Sequence, residues 1–157
     1  MAKQGNQLRN DQEINYYLEV KVDNYYFGIP VKYVRDVLNP LEIEPVPLAP
    51  KLVSGSLNLR GRIVTAIDFK VILGLNATND VSSHMSVVIE FEDELYSLII
   101  DDVGDVLNLN NKDLQSNPNN LNPQWKELSQ GIFTLKDKLL IIVDIEKLLP
   151  KKNSMAK

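Results

Sequence analysis

Few residues in this chain could support catalysis, and they are scattered. The only histidine is His84, which stands near Ser83 and Ser86, and there is no cysteine. A catalytic Ser–His pair also needs an orienting acid and oxyanion donors that converge on it, and this short spacing on a strand does not supply them. We interpret His84 as a solvated or half-packed side chain and predict no catalytic residue. The lack of cysteine excludes disulfides, thiolate catalysis and cysteine-ligated metals.

Three carboxylates in one short stretch are the candidates for a cation site. Asp101, Asp102 and Asp105 are close in sequence, but they lack the alternating acidic positions and the distant glutamate of a calcium loop. Neighbouring residues of a strand also point to opposite faces. The simpler interpretation is a strand end with polar caps, and Asp68 is interpreted as a helix N-cap. The sequence predicts no metal and no cofactor.

Charge and hydropathy limit the classes of molecule that the chain could bind and the compartment in which it could act. The 17 basic residues are outnumbered by 21 acidic ones, for a net charge of −4. This balance argues against binding to nucleic acid or to an anionic membrane. The first residues are polar and carry no apolar signal region, and no apolar run is long enough to span a bilayer. We therefore expect a cytoplasmic protein.

The elements that position these residues are mostly short strands. Apolar residues alternate from Ile14 to Val22, which predicts a half-buried strand, followed by a tight turn and a second strand over 25–29. Further strands are predicted over 57–60, 62–68, 85–91, 95–100, 131–135 and 139–143. This pattern indicates an all-β barrel or sandwich.

Other segments were predicted as helical turns or loops. Pro30 followed by Val31, Val34 and Val37 at helical spacing predicts a short helix. Helical turns are also predicted over 69–73 and 145–149. The proline-rich stretch 41–55 is predicted to form an extended edge that leads to a bend, 76–83 a loop, and the asparagine-rich stretch 108–123 a long loop with one helical turn.

Residues 45–74 carry a family resemblance. Their sequence, PVPLAPKLVSGSLNLRGRIVTAIDFKVILG, resembles the signature region of the CheW family. The upstream YYFGIPVKYVRDVL and the downstream LIIDDVGDVLNL and DKLLIIVDIEKLL are similar to further family blocks, in family order. The resemblance covers about 14–149. Departures are Thr65 for the usual proline, Phe69 for leucine, Asp36 for glutamate and Ser97 for glycine.

The resemblance implies an architecture and a function. It implies two SH3-like, five-stranded β-barrel lobes packed about a shared apolar core, with short helical turns and no enzymatic activity. The corresponding division is a polar tail over 1–13, a CheW-like domain over 14–149 and a polar tail over 150–157. The lobe boundary is expected near 75–84, with possible strand exchange between lobes.

The implied partners are two proteins. Members of the family bind the cytoplasmic tip of methyl-accepting chemotaxis receptors and the regulatory domain of the histidine kinase CheA, in arrays at the inner face of the membrane, where receptors control kinase autophosphorylation. By position in the family pattern, the receptor-binding residues are Val31, Val34, Asp36, Gly55, Arg60 and Val87. The kinase-binding residues are not assigned.

Other interpretations remain open at this point. The three valines at helical spacing are also typical of a core, and Arg60 next to Gly61 could be a simple turn residue. The chain could serve another sensory or motility pathway, or be a piece of a larger CheW-containing protein. A small β-barrel enzyme or ligand-binding protein that uses Asp68, His84 or Asp101 is the alternative of a different class.

Overall fold

The computed structural model describes residues 14–39, 43, 45, 47–49, 53–76 and 84–149. The predicted tails over 1–13 and 150–157, part of the predicted proline-rich edge and most of the predicted loop over 76–83 lie outside these residues. Within the described part, no helix is long and apolar enough to cross a membrane.

Ten strands make up most of the described chain. Their bounds are β1 Ile14–Val22, β2 Tyr25–Pro30, β3 Val34–Leu38, β4 Val53–Leu59, β5 Arg62–Asp68, β6 Met85–Phe91, β7 Glu94–Ile100, β8 Asp102–Asn110, β9 Ser129–Thr134 and β10 Leu139–Val143. Three short helices are α1 Phe69–Ile72, α2 Pro123–Leu128 and α3 Ile145–Leu148, and two 3-10 turns cover Val31–Tyr33 and Asn111–Asp113.

The strands form two five-stranded sheets, which confirms the predicted all-β class. Lobe one has the strand order β3-β6-β7-β5-β4, and lobe two has the order β8-β1-β2-β10-β9. Neighbours are antiparallel except β5 with β7 and β2 with β10, which are parallel. The described pairings leave each sheet with two edge strands and do not close it into a barrel.

The two halves of the sequence exchange strands between the lobes. The hairpin β1–β2 belongs to lobe two, while β3, β4 and β5 belong to lobe one; after residues 75–84, the hairpin β6–β7 joins lobe one and β8, β9 and β10 join lobe two. The region 75–84 thus separates two sequence halves, whereas the chain passes between the lobes at 31–33 and at Asp101. Each lobe is complete only with strands from both halves.

A shared apolar core joins the lobes. Val20, Phe27 and Ile29 of lobe two are buried together with Ile67 and Leu98 of lobe one in one cluster. Separate clusters fill the opposite faces of the sheets: Val64 and Val88 belong to the cluster of lobe one, and Phe133 and Leu140 to that of lobe two. Apolar residues are buried on both faces of each sheet. Because one face of each sheet contributes to the shared cluster, the two lobes pack as one unit.

The predicted helix after Pro30 is wrong beyond its first turn. Residues Val31–Tyr33 form a 3-10 turn, and the chain then continues as β3. Val34 pairs with Ile89 and Val37 with Val87 of β6. The β-branched valines favour this pleated pairing, and tertiary contacts outweigh the helical spacing.

The long predicted loop over 108–123 is partly structured. Strand β8 continues to Asn110, and helix α2 begins at Pro123 with the Asn122 side chain accepting a hydrogen bond from the N–H of Gln124. Trp125 is buried, and its indole N–H donates to the Leu73 carbonyl at 2.8 Å. An asparagine followed by proline at the first helical position was the signal for this missed helix.

Candidate functional site

An ion pair marks the predicted receptor-facing surface. Arg60 Nη2 donates to Asp36 Oδ2 at 3.3 Å. The Arg60 side chain is 79% exposed, while that of Asp36 is 27% exposed. Asp36 Oδ1 also accepts from the backbone N–H of Val37 at 2.8 Å, which orients the carboxylate. Sequence-based prediction named both residues without foreseeing that they contact each other.

This ion pair joins the two edges of lobe one. Asp36 lies on β3 and Arg60 follows β4, and these strands are at opposite ends of the strand order. A contact between them requires the sheet to curl, as a twisted small sheet does. The curl brings the β4–β5 turn against β3 and creates one continuous surface from residues far apart in sequence.

The β4–β5 turn presents Arg60 in a fixed conformation. Asn58 Oδ1 accepts from the N–H of Gly61 at 2.9 Å, and Gly61 has a φ of 86°. Arg60 itself has a φ of 52°, in the left-handed region that non-glycine residues rarely occupy. The turn therefore fixes the backbone at Arg60, and the guanidinium has donors that can bind a carboxylate or helix-end carbonyls.

The predicted valines lie beneath and beside this surface. Val31 and Val34 are half-buried and pack against the shared core. Val87 has 0% exposure and pairs with Val37 across the β3–β6 ladder. In this structure Val87 supports β3 from the core, so its contribution to a partner surface is through packing.

Gly55 lies at an irregularity of β4. It is buried, its φ is 156°, and the register with β5 shifts between Val53 and Gly55. A bulge bends a strand and increases its twist. Gly55 thereby shapes the edge strand that leads to Arg60, rather than offering a side chain to a partner.

Two exposed aliphatic residues lie close to the ion pair in sequence and were not predicted as site residues. Val37 is 37% exposed and Ile63 is 69% exposed. Val37 follows Asp36 directly, and Ile63 lies three residues after Arg60. The sequence signal for Ile63 was the presence of an isoleucine next to a polar turn, a position where the fold does not require a buried side chain. Val37 shares β3 with Asp36, and Ile63 shares the β4–β5 hairpin with Arg60, so each exposed aliphatic side chain lies on an element that carries one partner of the ion pair.

The residues of the enzyme alternative have structural roles. Asp68 Oδ1 accepts from the N–H of Lys70 and caps α1, as predicted. The Asp101 carboxylate lies 3.3 Å from Lys70 Nζ and 3.0 Å from His84 Nε2, and Lys70 is also 3.2 Å from Asp23. This cluster bridges the lobes next to the α1 helix.

Electrostatics in this cluster are those of a structural ion pair. Burial lowers the pKa of Lys70, but hydrogen bonds and charge from Asp23 and Asp101 raise it by more, so the net pKa is above its ordinary value. Lys70 therefore remains charged at neutral pH. The described residues contain no group of three or more histidine, cysteine or carboxylate side chains that could hold a metal ion.

A shallow cavity lies near Val31. Its volume is about 260 Å³, and its lining includes Tyr16, Tyr17, Lys32 and Tyr33. Ligand pockets are usually about 300–1,000 Å³ and enclose most of the ligand. The volume of this cavity is below that range.

The fold defines a two-lobed β protein with a shared apolar core. The family model of the CheW-like domain matches residues 16–153. The chain is 24% identical over 136 residues to the chemotaxis protein CheW of Rhizobium meliloti, covering 87% of this chain and 88% of that protein. It is 28% identical over 133 residues to the chemotaxis protein CheW of Klebsiella aerogenes, covering 85% and 80%.

A solved structure has the same fold. The scaffolding protein TtCheW from Thermoanaerobacter tengcongensis superimposes with a TM-score of 0.79 at 21% identity, covering 90% of this chain and 96% of that one. The chain belongs to the CheW family, as the motifs over 45–74 predicted. This membership supports a role as a chemotaxis adaptor.

Proposed function

We propose that this chain is a non-catalytic adaptor that couples chemoreceptors to the histidine kinase CheA. It binds the cytoplasmic tip of a methyl-accepting receptor and the regulatory domain of the kinase at the same time. It acts in the cytoplasm, in receptor arrays beneath the membrane. Occupancy of the receptor then controls kinase autophosphorylation through this bridge.

The observation that carries the proposal is the Arg60–Asp36 surface. A curled sheet holds the exposed Arg60 guanidinium against Asp36 at the tip of a hairpin turn that Asn58 stabilises. Arginine is one of the residue types that are enriched in protein-binding hot spots. Family membership makes a receptor tip the natural partner for this surface.

The chemistry of the contact follows from the shape of the partner. A receptor tip is a helical hairpin, which presents apolar side chains along one face. Val37 and Ile63 would receive these apolar anchors, and Arg60 would bond a carboxylate or the carbonyls at a helix end. Asp36 keeps Arg60 oriented, so little side-chain entropy is lost on binding.

The first prediction tests Arg60. We expect Arg60→Asp to weaken binding of a purified receptor-tip fragment by about tenfold or more, because hot-spot arginines contribute on this scale. The measurement is isothermal titration calorimetry, together with receptor-dependent autophosphorylation of CheA in reconstituted arrays. Circular dichroism verifies the fold, since the Arg60 side chain is exposed.

Two controls separate a specific contact from a charge effect. Arg62→Asp makes the same charge change on the same hairpin and should leave binding within about threefold if Arg60 acts specifically. The double exchange Asp36→Arg with Arg60→Asp keeps an ion pair but removes the outward guanidinium, and it should not restore binding. A folded Arg60→Asp protein that couples normally would contradict the assignment.

A further inference from the structure

The chain crosses from lobe one to lobe two at Asp101, and this carboxylate meets residues of three other elements. Its Oδ2 accepts from the N–H of Asp23 in the β1–β2 turn at 2.6 Å. Its Oδ1 lies 3.3 Å from Lys70 Nζ on α1 and 3.0 Å from His84 Nε2, just before β6. Lys70 Nζ also lies 3.2 Å from Asp23 Oδ1. We call these four residues the crossing cluster, which connects the β1–β2 hairpin of lobe two to α1 and β6 on the side of lobe one.

The charges of the crossing cluster do not balance when His84 is neutral. Asp23 and Asp101 contribute two carboxylates and Lys70 contributes one ammonium, which leaves one net negative charge. Burial lowers the pKa of Lys70, but its contacts with both carboxylates raise it by more, so Lys70 stays charged. A proton on His84 supplies a second cation and brings the sum of the four charges to zero.

This balance matters because the contact is shielded from water. Asp101 Oδ1 is buried and has no well-aligned hydrogen bond among the described residues, although Lys70 and His84 approach it closely. The side chains of Asp101 and His84 are only 25% and 20% exposed. Solvent and salt screen partly buried charges less than exposed ones. A second cation next to this oxygen therefore adds a favourable contact that solvent does not replace.

Asp101 transmits a change of charge at His84 to lobe two. Its N–H donates to the carbonyl of Lys21 on β1 at 3.0 Å, so both its backbone and its side chain are bonded to the β1–β2 hairpin. The shared apolar cluster also joins the lobes, but its residues do not change charge near neutral pH. Of these two contacts between the lobes, only the crossing cluster can gain a charge in this range.

A response to pH near neutrality can be traced to one residue. His84 is the only histidine of the chain, and there is no cysteine. Histidine is the side chain whose charge ordinarily changes between about pH 5 and 8. A substitution at this one position therefore separates proton uptake by the crossing cluster from the other effects of pH.

We propose that the crossing cluster is a pH-sensitive link between the lobes, which tightens when His84 takes up a proton. Lys70 is the cation that opposes the charged imidazole, and the two carboxylates outweigh it. Lowering the pH then holds the β1–β2 hairpin more firmly against lobe one, and raising the pH loosens this junction. The inference does not depend on the proposed function, because it concerns only the contact between the lobes.

The test compares the unaltered chain with His84→Gln, which keeps a polar side chain that does not titrate. Urea unfolding is measured at about pH 8 and about pH 5.5, near the limits of the range in which histidine changes charge. Stability rises as the pH falls wherever the folded state binds more protons than the unfolded chain. We expect the unfolding equilibrium constant of His84→Gln, divided by that of the unaltered chain, to rise by about fivefold at the lower pH, the upper scale for an exposed ion pair.

Two aspartate variants locate the effect. Asp101→Asn keeps the size of the side chain but removes its charge, so His84→Gln added to this variant should produce less than about a twofold change between the two pH values. Asp105→Asn makes the same charge change at an exposed position of β8 and should leave the fivefold change intact.

Amide hydrogen exchange shows whether the effect lies at the junction of the lobes. The N–H of Asp23 donates to Asp101, so its protection factor reports on this contact. We expect this protection to rise as the pH falls in the unaltered chain and to stay constant in His84→Gln.

Each other outcome overturns the proposal. An equal pH dependence of the unaltered chain and His84→Gln would show that His84 contributes nothing to it. A fivefold change that persists in Asp101→Asn would mean that His84 acts through another group. A gain in overall stability without added protection of the Asp23 amide would place the effect outside the junction. If Asp101→Asn does not fold, the His84→Gln comparison and the Asp23 amide still decide.

Discussion

At the residue scale, two buried serines have opposite environments. Ser97 on β7 is completely buried, and its Oγ has no hydrogen-bond partner among the described residues. Ser129 on β9 is also buried, but its Oγ donates to Asn117 Oδ1 at 2.7 Å and accepts from the N–H of Gly131 at 3.0 Å. Ser97 is also a departure from the family pattern, which has glycine there.

We expect Ser97→Ala to stabilise the fold by about 1 kcal/mol, because a buried hydroxyl without a partner loses its hydration and gains nothing in return. Ser129→Ala should destabilise it by about 1–2 kcal/mol, because the Gly131 N–H would lose its acceptor. Urea unfolding at neutral pH measures both variants. A loss of stability in Ser97→Ala similar to that in Ser129→Ala would contradict this difference.

At the element scale, glycines shape the strands that lead to the hairpin turns. A Cβ on Gly131 would stand 2.5 Å from the backbone carbonyl oxygen of Gln115, which pairs with Ile132 through hydrogen bonds of 2.8 and 2.9 Å. By contrast, a Cβ on Gly61 would meet no atom within 4 Å. Both glycines have positive φ, but Gly131 at 144° is also farther from the left-handed region than Gly61 at 86°, so strain and steric overlap both disfavour a side chain at Gly131.

We therefore expect Gly131→Ala to cost about 3 kcal/mol, the sum of backbone strain and displacement of the 114–115 segment. Gly61→Ala should cost only about 1 kcal/mol, from the strained φ alone. Equilibrium urea unfolding measures the pair. Equal losses of unfolding free energy in the two variants would show that the segment around Gln115 can move away from the added methyl group without destabilising the fold.

Short strands were predictable where the pattern was local. The alternation over Ile14–Val22, the hairpins and the cap at Asp68 were confirmed because each depends on neighbours in sequence. β3 was not predictable, because its pairing with β6 joins residues about fifty positions apart and overrides a helical spacing. Helix α2 was not predicted, because its N-cap residue Asn122 lies in an asparagine-rich stretch that is typical of a loop.

The candidate site shows the same limit. Arg60 and Asp36 were named from motifs, but their contact depends on the curl of a sheet whose strand order is not encoded locally. Val87 was named as a contact, and it turned out to lie in the core beneath β3. Motifs identify which residues matter, whereas only the tertiary structure distinguishes a contact from its support.

At the scale of the whole molecule, strand exchange makes the two sequence halves depend on each other. Each half supplies a hairpin to one lobe and three strands to the other, and the largest apolar cluster contains residues of both halves. An isolated half would expose this cluster and leave two incomplete sheets. We therefore expect the two lobes to be stable only together. The boundary near 75–84 separates the two halves of the sequence, but it does not separate two parts that fold independently.

This dependence predicts how fragments behave. Residues 1–80 and residues 81–157, expressed separately, should each lack cooperative thermal unfolding, because chains of this size with half a core bury too little apolar surface to offset conformational entropy. Mixed in equal amounts, they should associate and regain the near-ultraviolet circular dichroism of the intact chain. A fragment that unfolds cooperatively alone would show that three strands and a hairpin suffice, and would place the origin of stability within one half rather than in the exchange.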